Sequence, residues 1–494
     1  MDFSVGFFVF LIGALFVFYA IRPKKLRPLV LALESIGFCA VLSPVAAVNL
    51  VIISLMTFLA AYFIVSFRAK SNQKASRFTY ILSVILALAE LFVYKYSEWI
   101  LCKMLMIKSL SPFFENLVIP VGLSFYTFSV IDYLSDIYKG NTEFEKNPLN
   151  LFLYLTYFPK FLSGPIEKNT RFFENLRKLE AVRLLDSERL VKAVSFLLTG
   201  YFMKLVLADR AALFVNDIFL FPEYYGTGIL ILGSLLYTLQ IYFDFAGYSF
   251  IAMGVSKLFG IDLSDNFRTP YFSENITEFW RRWHISLSGF FKEHVYIPLG
   301  GNRKGDMRTY LNLLTVFIVC GIWHGAAVRF VFWGLLHGVF SVLARVLKKR
   351  NIKMFVSGVS GRITTFICVS FAWIFFGAAY FRGALKYIGC MFSHIPNAFV
   401  RRAEGVRAVI EDFFGGYRLF NGNMYQFIVF VITFVFVFVL EWMSYKKSLT
   451  VPEMLSGAKP WVRYVYWYLL LMGILILGIY GVEAKNADFI YMDF

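Results

Sequence analysis

Apolar residues run along this chain in long blocks separated by short polar stretches. A run of about 18 or more is long enough to cross a hydrocarbon core as one helix. Such runs stand at 4–21, 46–67, 78–98, 190–207, 228–253, 362–380, 424–442 and 463–482. Five further stretches, 28–43, 116–138, 149–164, 310–326 and 328–344, are weaker candidates, some of them short or interrupted by Pro and Gly. Those read as broken or re-entrant helices lining a cavity. The pattern predicts an all-α polytopic membrane protein with roughly 11 membrane segments. The first run has no basic region ahead of it and no small-residue cleavage site behind it, so it reads as a retained helix. There is no low-complexity linker and no repeat of 20–50 residues. Residues 1–494 therefore read as a single integral-membrane domain, with a motif-dense core block at 118–338 and C-terminal helices over 362–494.

Composition agrees: 59% of residues are hydrophobic, 19% are aromatic, and the mean hydropathy is +0.65. A net charge of +17 would suggest nucleic-acid binding in a soluble protein. Here Lys and Arg fall in clusters between spans, as in Arg22–Arg27 and Arg68–Arg77, where they mark cytoplasmic ends and contacts with membrane lipid. The 28–43 and 46–67 segments then form a hairpin with Pro44 at its outer tip, and the N-terminus lies outside. Residues 166–189 carry six basic and five acidic side chains and read as an interfacial helix. Residues 391–423, with Arg401, Arg402 and Arg407 beside Phe399, Phe413 and Phe414, fit either membrane surface. The five cysteines are scattered and never paired as C-x-x-C, so neither a disulfide framework nor a metal site is implied.

Two of the five histidines, His324 and His337, lie inside a stretch that reads as lipid-buried. An imidazole at that depth must be desolvated and partnered, which makes it a functional candidate. Arg308 and the Arg345–Lys349 cluster both read as cytoplasmic, with 36 residues (309–344) between them. As helix, those span about 54 Å, slightly short of the roughly 60 Å that two crossings need. A short hairpin turning near Gly325 follows. His284 sits in an aromatic-rich helix expected over 276–291, which starts near Ser273 and suits an interface. Asp244 stands among apolar residues and requires a partner, for which Arg281 or Arg282 is the nearest guess. Asn266 and Asn302 read as turn or capping residues, and His394 as part of a polar loop.

Several ordered motifs carry a resemblance. Phe-Trp-Arg-Arg-Trp-His-Ile-Ser-Leu-Ser (279–288), Tyr-Ile-Pro-Leu-Gly-Gly-Asn-Arg (296–303) and Trp-His-Gly (323–325) resemble the membrane-bound O-acyltransferase family, in its bacterial alginate O-acetyltransferase-like branch. The likeness extends to Pro120–Phe128, Phe158–Ile166, Asp244–Ser249 and the ending Asp488–Phe494, and so covers nearly the whole chain. One departure is Glu293-His294-Val295, where the family has an acid and an aromatic residue; the role of His294 stays open. The resemblance implies a helical bundle around a central pore in a bacterial cytoplasmic (inner) membrane. It implies a thioester donor reaching the pore from the cytoplasm, acetyl-CoA as that acyl-donor substrate with no bound cofactor, and an extracytoplasmic polysaccharide as acceptor. It also implies an esterase-like periplasmic or extracellular partner protein.

Acyl transfer to an alcohol needs proton removal, oxyanion stabilisation and exclusion of water. His324 matches the family's essential histidine and is the expected general base, with His337 orienting or donating to the oxyanion. Arg281, Arg282, Arg303 and Lys304 suit the donor's phosphates. With no G-x-S-x-G elbow, direct transfer is favoured over a serine acyl-enzyme, and with no Walker A loop nothing suggests nucleotide hydrolysis. D-alanyl transfer to teichoic acid and peptidoglycan O-acetylation are alternatives within the enzyme class. A transporter or flippase would also explain polar groups at membrane depth.

Overall fold

Prolines and short polar side chains start many of these helices, as their fixed φ and capping oxygens favour. In the computed structural model, Ser43 Oγ accepts the Ala46 N–H ahead of Pro44, and Asn147 Oδ1 accepts the Leu149 N–H ahead of Pro148. The structure describes residues 5–107, 119–352, 357–400 and 424–480, together with Ser109 and Phe113. Residues 401–423 of the polar segment and the 488–494 ending lie outside the described residues.

In chain order the helices are α1 (Val5–Ala20), α2 (Arg27–Leu42), α3 (Pro44–Ala69), α4 (Gln73–Glu98), α5 (Leu123–Lys139), α6 (Pro148–Thr156), α7 (Phe158–Phe161), α8 (Asn169–Lys178), α9 (Ser187–Tyr201) and α10 (Asp209–Leu220). There follow α11 (Thr227–Leu258), α12 (Ile276–Arg282), α13 (Ile285–Phe291), α14 (Asp306–His324), α15 (Val328–Lys349), α16 (Gly358–Gly377), α17 (Phe381–Val400), α18 (Met424–Lys447), α19 (Val451–Ser456) and α20 (Pro460–Leu477). No strand occurs among the described residues. Among the described residues, eight helical stretches are long and apolar enough to cross a membrane: 44–69, 73–102, 187–220, 227–258, 328–349, 358–377, 424–447 and 460–477. The first apolar run gives α1, and the weaker candidate 328–344 is the full-length α15. The 149–164 stretch is broken at Tyr157, between α6 and α7. His394 falls within α17 and not in a loop.

The chain divides into two units, Met1–Val194 with Ala252–Asp265, and Ser195–Ile251 with Asn266–Phe494. In the first, apolar burial surrounds polar groups, several of which pair with one another. Asp132 on α5 accepts from Lys168 Nζ at 2.7 Å, and Glu167 accepts the N–H and hydroxyl of Ser264 at 2.6 and 2.9 Å. Lys160 lies 4.2 Å above the Tyr154 ring. Helix α8 is amphipathic, as read from the sequence: Phe172, Phe173 and Leu176 are buried while Arg171, Arg177 and Lys178 are exposed. Lys168, within the segment read as interfacial, pairs with Asp132.

The second unit is organised around the α14–α15 hairpin, whose turn at 325–327 falls where the sequence placed it. A Cβ on Gly321 would meet the Phe330 carbonyl at 2.3 Å, and one on Gly334 the Phe317 carbonyl at 2.2 Å. The two helices therefore touch backbone to backbone, as small residues allow between membrane helices. At the open end Lys349 pairs with Asp306, and Asn312 Nδ2 donates to Gly301 O at 2.8 Å, fixing the 296–305 loop. Arg303 and Arg350 are exposed close in sequence to this paired end. In a cysteine-free background, Arg303→Cys and Arg350→Cys should both react with an impermeant reagent in inside-out vesicles and stay unlabelled in intact cells. Labelling of either from outside reverses the orientation.

Candidate active site

The stretch from Ile276 to Phe291, expected as one interfacial helix, is two short helices broken at Trp283 and His284. The break has a tertiary cause. Backbone of the 266–268 segment lies alongside it, with Arg268 N–H donating to Arg282 O and Ile285 N–H donating to Asn266 O, both at 3.0 Å. His284 is held at φ 42°, in the left-handed region, which a non-glycine residue enters at a cost. The cap of α12 is Asn275 and not Ser273: Asn275 Oδ1 accepts the Glu278 N–H at 3.0 Å, while Ser273 Oγ donates to Pro270 O.

Asn266 does more than cap a turn. Its Oδ1 accepts from Ser286 Oγ at 2.9 Å and from the Ser286 N–H at 3.4 Å, while its Nδ2 donates to Ser249 Oγ at 3.3 Å. The oxygen that faces His284 Nδ1 at 3.1 Å is therefore an acceptor. It follows that Nδ1 carries the proton and Nε2 the lone pair. His337 is fixed in the opposite sense. Trp280 Nε1–H donates to His337 Nδ1 at 3.3 Å, so Nε2 bears the hydrogen. Nε2 is buried and has no hydrogen-bond partner among the described residues. One imidazole is set to accept a proton and the other to donate a hydrogen bond.

His324 is the last residue of α14 and is 2% exposed. Its ring packs against Trp323, Trp333 and Phe376, with centroids 4.7, 5.0 and 5.2 Å away. Trp333 also packs against His337 at 4.8 Å, and His284 lies 6.5 Å from Trp323. Imidazoles and indoles thus alternate in the order His284, Trp323, His324, Trp333, His337, Trp280. Arg329 steadies one side by donating to the Phe376 and Ala378 carbonyls at the end of α16. Such an apolar, water-poor enclosure strengthens any hydrogen bond made inside it.

A cavity of about 1300 Å³ leads to this cluster. Its lining includes Trp280, Phe317 and Ser341, and both Trp280 and Ser341 hydrogen-bond His337. It is also lined by Arg268, Arg281, Arg282, Arg345, Lys348 and Lys349. Glu274, Glu278 and Asp306 also line it and pair with Arg362, Arg282 and Lys349, so six basic side chains stand against three acidic ones. Of the four expected donor-phosphate residues, Arg281 and Arg282 line the cavity. Arg303 and Lys304, with Asn302, are exposed on the 296–305 loop and are not among the lining side chains. His294 is half-buried and packs on Phe290 at 4.5 Å.

Asp244 has a different partner from the one expected. Lys204 Nζ lies 2.7 Å from it and 2.8 Å from Asp209, whereas Arg282 is committed to Glu278. Lys204, on a π-helical turn at Phe202–Ala208, is 5% exposed, and Asp244 and Asp209 are 2% and 4% exposed. Such turns widen a helix locally and redirect one side chain. Nothing in the sequence marked Lys204 or Trp333, and Trp280 stood out only as part of the 279–288 motif. The available signal was the density of Trp, since five of the nine (280, 283, 323, 333 and 373) fall in the second half of the chain around the histidines.

Comparison with known proteins bears on this arrangement. Residues 145–382 match the description of MBOAT, the membrane-bound O-acyltransferase family. A protein of Pseudomonas syringae named "Probable alginate O-acetylase AlgI" is 35% identical over 285 residues, 58% of this chain and 54% of that one. Its namesake in Azotobacter vinelandii is 32% identical over 409 residues, 80% and 78% of the two chains. The "Peptidoglycan O-acetyltransferase" of Helicobacter pylori is 33% identical over 336 residues, 62% and 63%. The chain thus spans about half the length of its Pseudomonas relatives and over three quarters of the Azotobacter one. The ordered motifs, the apolar helices and this extent of likeness agree: the chain is a multi-pass membrane protein and belongs to the membrane-bound O-acyltransferase family.

Proposed function

We propose that the protein moves an acyl group, acetyl in the first instance, from a cytoplasmic thioester to a hydroxyl of a cell-envelope polysaccharide. The observation that carries this reading is a cavity whose lining has a basic excess and includes Trp280, which donates to His337 Nδ1. A CoA thioester would lay its phosphates against Arg281, Arg345 and Lys348, with its carbonyl oxygen toward His337 Nε2–H. The acceptor hydroxyl would approach by His324. As its oxygen attacks the carbonyl carbon, the proton passes to the imidazole. The C–S bond then breaks and the leaving thiolate takes that proton, so an ester and a free thiol result. The aromatic enclosure keeps out the water that would hydrolyse the donor.

The names of the relatives support an exported polymer as acceptor, alginate in one case and peptidoglycan in another. On this reading the protein resides in a bacterial inner membrane, and an esterase-like partner outside completes delivery. The test is thiol release from acetyl-CoA by the purified protein, with alginate oligosaccharides, muropeptides or teichoic acid as acceptors and the ester product identified by mass. A D-alanyl ester formed from a D-alanyl thioester, with no acetyl ester, would replace acetyl by D-alanyl. No thiol release from any thioester would overturn acyl transfer. Arg281→Ala and Arg345→Ala should each weaken acetyl-CoA binding on the order of tenfold, and more at low salt, where the attraction is least screened. Equal affinity to the parent at both salt levels would leave these residues a topological role alone.

A further inference from the structure

The cavity lining reaches His337 through Trp280, Phe317 and Ser341. The Phe317 ring lies 6.2 Å from the imidazole, Trp280 donates to its Nδ1, and Ser341 Oγ donates to its carbonyl. Beyond His337, the ring against it is Trp333, 1% exposed. That indole is packed by Trp373 at 5.5 Å, Phe376 at 5.3 Å, Trp280 at 5.9 Å and His324 at 5.0 Å. It is thus wedged between two histidines with neighbours that leave it little freedom to swing aside. Its Nε1–H is also buried without a hydrogen-bond partner among the described residues, as is the Nε2–H of His337. Two unsatisfied donors on adjoining rings mark a place that a polar ligand atom is suited to fill.

We propose that Trp333 sets the length of the acyl group that the protein accepts, by closing the space beyond the thioester carbonyl. This rests on the acyl-transfer reading above. On this proposal a carbonyl held at His337 turns its substituent toward the adjoining indole, and a propyl or pentyl chain meets the ring where a methyl group does not. Replacing the indole by a smaller side chain opens the space that the extra methylenes require. Each methylene accommodated or refused in an apolar pocket changes relative turnover by about 10-fold or more.

The test compares acetyl-, butyryl- and hexanoyl-CoA as donors, with alginate oligosaccharides as acceptor, for the full-length parent, Trp333→Leu and Trp333→Phe. Trp333→Phe keeps an aromatic ring against Trp373 and secures the comparison if the leucine variant folds poorly. The expected result is a kcat/KM ratio of butyryl to acetyl that rises on the order of 10-fold or more in Trp333→Leu and by less in Trp333→Phe, while acetyl turnover itself falls. A proportional fall for all three donors would show that Trp333 only supports the fold, and an unchanged ratio at parental rates would overturn the proposal equally. A parent that releases thiol from none of the donors removes the acyl-transfer reading itself, an outcome distinct from either.

Discussion

His324→Ala should lower acyl transfer by about 10²–10⁴-fold, the usual worth of a positioned general base, while the protein still folds. The fold survives because His324 occupies the end of α14, where ring packing surrounds it. Losing such contacts costs at most a few kcal/mol. His337→Ala should reduce transfer less. It removes one hydrogen bond to the developing oxyanion, while Trp333 Nε1–H stays in the same cluster. The measurement is transfer per monodisperse protein at saturating donor, with donor affinity determined separately. Near-parental transfer by folded His324→Ala would move the base to His284, whose Nε2 lone pair is set by Asn266. His284→Ala alone would then produce the full loss.

The second large effect concerns stability. Lys204→Met should destabilise the second unit by about 3–5 kcal/mol, because it strands two buried carboxylates without their cation. Lys204→Met combined with Asp244→Asn should recover much of that loss, since one buried charge is then removed along with the cation. Asp244→Asn alone should be milder than Lys204→Met, as Lys204 and Asp209 remain a matched pair at 2.8 Å. Unfolding midpoints in one detergent, read for the three variants and the parent, decide the matter. A Lys204→Met protein melting with the parent would show that the pairs contribute nothing to stability.

Much of the fold was legible because its signals are local. Hydropathy located most of the spans, and the length of chain between two basic clusters located the α14–α15 turn within a residue or two. His324 and His337 stood out because imidazoles are rare at such depth. What the sequence hid were pairings made at a distance. Asp244 gave notice that it needed a partner but not which one, since Lys204 is brought to it by a π-helical turn forty residues earlier that periodicity does not reveal. The Trp283–His284 break is likewise imposed from outside, by the 266–268 backbone, on a sequence that reads as continuous helix. Asn266 looked like a turn residue for the same reason: its role lies in what it holds eighteen positions later.

The main-chain contact at Gly321 and Gly334 bears on how the protein would respond to bilayer thickness. A hairpin whose spacing is set by backbone touching backbone has no side-chain layer to compress or shear. In a thinner or thicker bilayer it would answer mismatch by tilting as one body. His324 and His337 sit on the two arms of that hairpin, so their separation would be the same in short-chain and long-chain lipid. The basic lining side chains Arg345, Lys348 and Lys349, at the far end of the second arm, would shift in height against the headgroups instead. Lipid chain length would then act on how readily the donor is captured, and leave the chemical step as it was.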